Sequence, residues 1–178
     1  VKKLFLFLTS LLILVLAAAC TNQKEQVSGH HAEAGEDVMI GQVVKNGMEI
    51  HAVYLPHAVK VAPVERGGKE GNIHLEADIH ATKDNSFGFP EGAWIPYLTI
   101  NYKIRNLDTH EDVAEGQLYQ MVAGDPHYAS NVLLPEAGNY ELTFQISQPD
   151  LARHAEDVKE FYEPMTLKWK FKYDGAKK

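Results

Sequence analysis

The residue types best suited to chemistry crowd into one short segment, Ile73–His80 (IHLEADIH). If that segment is extended, alternation sends Ile73, Leu75, Ala77 and Ile79 to one face and His74, Glu76, Asp78 and His80 to the other. Imidazoles and carboxylates on one side of one strand are the donors that first-row transition ions take. A solvent-facing polar stripe has the same alternation, yet such stripes usually draw on Lys, Thr and Ser, which are absent here. A second segment, Gln120-Met121-Val122-Ala123-Gly124-Asp125-Pro126-His127-Tyr128, offers a thioether after a strand and an imidazole after a Gly-Asp-Pro turn. Taken alone, Met121 reads as core filler and His127 as a loop histidine.

The remaining histidines carry less. His51 has the apolar neighbours Ile50 and Val53 on its strand, His57 follows Pro56, and His110 lies in the turn-like Asp108-Thr109-His110-Glu111. These read as surface or core-edge residues. His30 and His31 stand in a polar stretch with nothing to bury. The one cysteine is Cys20; with no other thiolate in the chain, a blue-copper electron-transfer site is not expected.

What must position these residues is a set of strands. Tyr140, Leu142, Phe144 and Ile146 alternate with polar residues, as do Leu167, Trp169, Phe171 and Tyr173, and as do Leu98, Ile100, Tyr102 and Ile104. Further strands are expected at Met48–Leu55, Ile73–His80 and Val113–Val122, separated by turn chemistry at Asn46-Gly47, Gly67-Gly68, Phe87–Gly92 and Ala137-Gly138-Asn139. Only Asp150–Phe161 is suited to a short helix. About seven short strands in one domain predict an all-β fold, an immunoglobulin-like antiparallel sandwich.

The first residues predict export. Lys2-Lys3, an apolar run from Leu4 to Leu16, and Ala17-Ala18-Ala19 follow the order of a secretory signal, and the apolar run is shorter than the roughly 20 residues a bilayer span needs. Cys20 directly after the small residues resembles the lipobox of bacterial lipoproteins, with Ala17 where leucine is commonest. Lipidation there consumes the thiol and leaves no cysteine for a disulfide or a metal. The expected organisation is a signal peptide over 1–19, a lipidated Cys20 and polar tether over 20–37, and one domain over 38–178. The net charge of −7 offers no basic surface for phosphates, so no nucleic acid is expected.

The runs GMEIHAVYL (47–55), HLEADIHA (74–81), FPEGAWIPYLTI (89–100), MVAGDPHYASN (121–131), GNYELTFQIS (138–147) and KWKFKY (168–173) resemble the bacterial periplasmic iron-transport-associated proteins. The likeness covers essentially the whole domain. It implies an immunoglobulin-like sandwich, a homodimer, and a surface copper site near the dimer contact, beside a high-affinity iron permease. By the same resemblance the ligands are His74, Met121, His127 and His154, with Glu76 tuning or extending the site. The spacing around His154 matches least, and the loop before His127 is one residue shorter than is common in the family.

Three imidazoles and a thioether suit copper in either oxidation state, and a carboxylate beside them admits iron, zinc or manganese. Binding is expected to weaken below the imidazole pKa, about 6.5. The expected function is a lipid-anchored, extracytoplasmic metal-binding component of iron uptake that hands its ion to a permease or another uptake component. The alternative is an interaction or adhesion lipoprotein whose metal bridges two subunits. With no second redox centre or cofactor motif, no enzymatic activity is expected.

Overall fold

The computed structural model describes residues 37–158 and 160–176. The expected signal segment, Cys20, His30 and His31 lie outside the described residues. Eight strands follow in order: β1 (Val38–Lys45), β2 (Met48–Leu55), β3 (Ile73–Ala81), β4 (Ile100–Asn106), β5 (Asp112–Val122), β6 (Pro126–Val132), β7 (Gly138–Ile146) and β8 (Met165–Tyr173). Every pairing is antiparallel, in the spatial order β1-β2-β3-β6-β5-β4-β7-β8. This is the all-β, immunoglobulin-like sandwich that the alternation predicts.

β5 joins the two sheets. Its residues 112–118 pair with β4, and 119–122 pair with β6. The far seam, between β1 and β8, closes on Gly41, where an added Cβ would lie 2.1 Å from the Trp169 indole. Only a residue without a side chain lets that ring lie on the β1 backbone.

Inward side chains alternate along each strand and meet in one core. Met48, Ile50, Ala52 and Tyr54 of β2, and Ile73, Leu75, Ala77 and Ile79 of β3, face Tyr140, Leu142, Phe144 and Ile146 of β7, all of them buried. Fully burying one such aliphatic or aromatic side chain contributes about 1.5–3 kcal/mol, so the core fixes the register of both sheets. A one-residue slip would turn this set outward.

Two strands were not visible in the alternation. β6 has no polar-out pattern because its last five residues are buried, and a strand covered on both faces loses its period of two. β1 is interrupted by a register shift between Met39 and Gly41. The expected helix over 150–161 is absent among the described residues. Instead, His154 O accepts hydrogen bonds from the Asp157 and Val158 N–H groups in a single turn.

Candidate metal centre

The ladders bring the two chemical segments together. Across β3 and β6, His74 pairs with Asn131 and Glu76 with Ala129; across β5 and β6, Met121 pairs with His127. Residues directly opposite one another point to the same face. His74, Glu76, Met121 and His127 therefore share the outer face of one sheet, although 47 positions separate Met121 from His74 along the chain.

Ligand atoms of His74, Glu76 and His127 all lie within 4.8 Å of one another. The two imidazoles stand edge to face, at 89° and 6.3 Å between centroids, and His74 Nε2 is 3.9 Å from Glu76 Oε1. An ion bound at about 2.0–2.2 Å holds its donor atoms roughly 3–4 Å apart, so small side-chain rotations close the set around one ion. Met121 enters beside His127, its terminal methyl lying where a side chain on Gly67 would touch it.

Burial leaves the His74 ring neutral and able to take a cation, whereas at Glu76 a proton competes with one. Burial, aided by the nearby His127 and His57 imidazoles and opposed by the Asn131 hydrogen bond, lowers the His74 pKa to about 4. Burial first, then Asp78 and Asp37, pushes Glu76 up to about 8. At neutral pH the ring is neutral and the carboxyl holds a proton, so their 3.9 Å approach is not an ion pair. A metal ion replaces that proton and offsets the cost of the buried carboxylate. His127 Nδ1 lies 3.0 Å from Asp125 O; a carbonyl only accepts, so Nδ1 carries the hydrogen and Nε2 keeps its lone pair for a ligand.

The surroundings hold the donors still. Tyr128, next to His127, is buried and donates its hydroxyl to Ile95 O at 2.7 Å while accepting from Leu98 N–H at 2.9 Å. Gln120 Oε1, next to Met121, accepts from Tyr97 N–H at 2.9 Å. Over the outer face runs the segment 56–72, tied down where Asn131 N–H donates to Gly67 O at 2.7 Å and Asn72 N–H donates to Val132 O at 2.9 Å. His74 is left only 2% exposed.

His154 is not brought to this cluster within its own chain. It projects from the turn after β7, its side chain 90% exposed, with Nδ1 3.5 Å from Asp157 Oδ2. Asp78 and His80 continue the outer face of β3, opposite His51 and Glu49. His51 is more buried than expected, at 7%, with Nε2 3.0 Å from Glu49 Oε1. His57 is exposed on the covering segment, and His110 occupies a turn at φ 63°. Asn131, which hydrogen-bonds His74, carried no signal in the sequence because the strand that places it was not visible.

Residues 33–175 match the family described as Fe2+ transport protein, and the chain belongs to that family. It is 36% identical to the UPF0423 protein of Brucella abortus strain 2308 over 188 aligned positions, covering 99% of this chain and 97% of the relative. Among solved structures, the copper-reconstituted P19 protein of Campylobacter jejuni is 44% identical, with a TM-score of 0.74 over 81% of this chain and 100% of that one. FetP of a uropathogenic Escherichia coli strain is 40% identical, with a TM-score of 0.72 over 80% of this chain and 99% of the other.

Proposed function

We propose that this member of the Fe2+ transport protein family is an extracytoplasmic, lipid-anchored metal-binding component of a high-affinity iron-uptake system. Its ion is held on His74 Nε2, His127 Nε2, a Glu76 oxygen and the Met121 sulfur. Copper fits this borderline-soft set, and the Glu76 oxygen extends it to ferrous iron, with zinc and manganese as competitors. The carrying observation is the approach of the buried His74 and the half-buried Glu76 and His127 within 4.8 Å, with Met121 registered opposite His127. Copper-bound structures of P19 and FetP, on the same fold, support the choice of metal. Expression of FetP in the periplasm supports the compartment, and Cys20 behind its apolar segment supports the anchor.

A second reading adds a homodimer whose contact lies at the site. Val122, Leu133 and Val64 are exposed apolar residues at 82%, 62% and 55%, on or beside the strands and segment that form the centre. His154, exposed and outside the cluster of its own chain, would then complete the ligand set from a second copy. The permease is proposed as the recipient of the ion, and the protein itself as no enzyme.

Calorimetric titration of the purified protein with Cu(II) and with Mn(II), an air-stable stand-in for ferrous iron, tests the binding claim. Sub-micromolar copper binding by the wild type is expected; affinity no tighter than that of a His74→Ala variant refutes it. Iron accumulation in cells lacking the gene tests the uptake role, with a fall at low external iron expected.

A further inference from the structure

Asn131 stands opposite His74 on the β3–β6 ladder and is 7% exposed. Both ends of its amide are in use. Oδ1 accepts from the Val59 N–H at 3.0 Å, and Nδ2 donates to Val59 O at 2.8 Å. A backbone N–H and C=O cannot exchange roles, so this pair dictates which end of the amide is oxygen. The reverse assignment would set donor against donor and acceptor against acceptor.

The same Oδ1 lies 2.8 Å from His74 Nδ1. An acceptor there requires the ring to carry its hydrogen on Nδ1. The lone pair of the neutral imidazole is then on Nε2, the atom that faces Glu76. In the opposite tautomer an N–H would point into the space an ion must fill.

We propose that Asn131 is the positioning residue of this centre. Its amide, oriented by the Val59 backbone, holds His74 in the Nδ1–H tautomer and aims the Nε2 lone pair at Glu76 and His127. Asn131 touches no ion; it acts through His74. It also joins two tasks. Through Val59, and through its own N–H to Gly67 O at 2.7 Å, it ties the covering segment to β6, so the residue that sets the ligand's tautomer also keeps water from it.

The purpose of this device rests on the metal-binding reading, but the tautomer belongs to the metal-free protein and is measured there. Long-range proton–nitrogen NMR of the ¹⁵N-labelled protein, stripped with chelator at pH 7, reports which ring nitrogen is protonated, with His74→Gln assigning the signal. The wild type is expected to show Nδ1–H at His74. Asn131→Ala is expected to move the ring to Nε2–H or a mixture and to weaken copper binding about 10–100-fold, the range for loss of a ligand's outer partner. Asn131→Asp keeps an acceptor at Nδ1 while losing the donor to Val59 O, so it is expected to retain the tautomer and recover most of the affinity, which a purely structural role would not produce. A bare Nδ1 in the wild type overturns the proposal without reference to any variant. So does an Asn131→Ala protein that keeps both tautomer and affinity. Failure of the wild type to bind copper overturns the metal reading and the purpose given to Asn131, while the tautomer result stays legible on its own.

Discussion

β3 and β8 are nine-residue strands built on one plan, an apolar inner face and a polar outer one, yet their outer faces behave differently. On β8 the polar side is Thr166, Lys168, Lys170 and Lys172, all exposed. Lys168 meets Glu141 at 3.0 Å, its side chain 58% exposed, and Lys172 meets Asp174 at 2.7 Å. On β3 the polar side is His74, Glu76, Asp78 and His80, and the segment 56–72 fastened along β6 leaves His74 2% exposed. Alternation sorts core from surface in both strands. What turns one surface into a site is the cover, because withdrawing water shifts the protonation of His74 and Glu76 and leaves the donors waiting for a cation.

The largest effects should fall on the covered face. His74→Ala or His127→Ala removes a donor outright and should weaken copper binding by more than the roughly 100-fold upper range for loss of an outer partner, measured by titration against the wild type. Equal affinity in Lys168→Ala and His74→Ala proteins would erase the distinction between the faces.

Next comes pH. Copper must displace the proton held by Glu76 with a pKa of about 8, so affinity should climb as pH rises toward 8, and Glu76→Gln should flatten that rise. The metal-free protein should show the opposite trend in stability. The folded Glu76 binds its proton more tightly than the unfolded chain, so its contribution is complete at low pH and lost between about 4.5 and 8. His74, lowered to about 4, works the other way, gaining stability up to about 6.5. Between pH 6.5 and 8 the Glu76 contribution stands alone. Denaturant melts of chelator-treated protein should therefore weaken across that window, and Glu76→Gln should remove the decline.

This contrast also explains what the sequence disclosed. The inner faces of β2, β3, β7 and β8 were legible because hydrophobic alternation follows directly from one buried face. The polar side of β3 was legible as a row of donors, but its covering was not, since 56–72 has no periodicity and is held by side-chain amides such as Asn131 and Asn72. β6 carries no alternation because burial on both faces removes it, which conceals the pairing of Met121 with His127 and the placement of Asn131. His154 was named from family likeness alone, and its own chain leaves it in an exposed turn away from the cluster.

Two glycines separate the regions at a smaller scale. Gly67, at φ 91°, sits in the cover, where a Cβ would come within 2.9 Å of Ala129 O; Gly41 sits at the β1–β8 seam, against Trp169. Gly67→Ala and Gly41→Ala should each cost about 1–3 kcal/mol, the first through backbone strain and the second through overpacking. Only Gly67→Ala should also lower copper affinity, because it disturbs the segment that excludes water and the contact with the Met121 methyl.

The smallest effect belongs to the solvated face. A double-mutant cycle on Lys168 and Glu141 should give a coupling below about 1 kcal/mol, since the lysine is free to move in water and salt screens the pair. Raising the ionic strength should shrink it further. The pair is the control for the covered face: it has opposite charges at hydrogen-bonding distance, whereas His74 and Glu76 are both neutral at pH 7 and farther apart. If the coupling instead exceeded about 1 kcal/mol and did not respond to salt, solvation would not be what separates the two faces, and the covering segment would lose the role assigned to it.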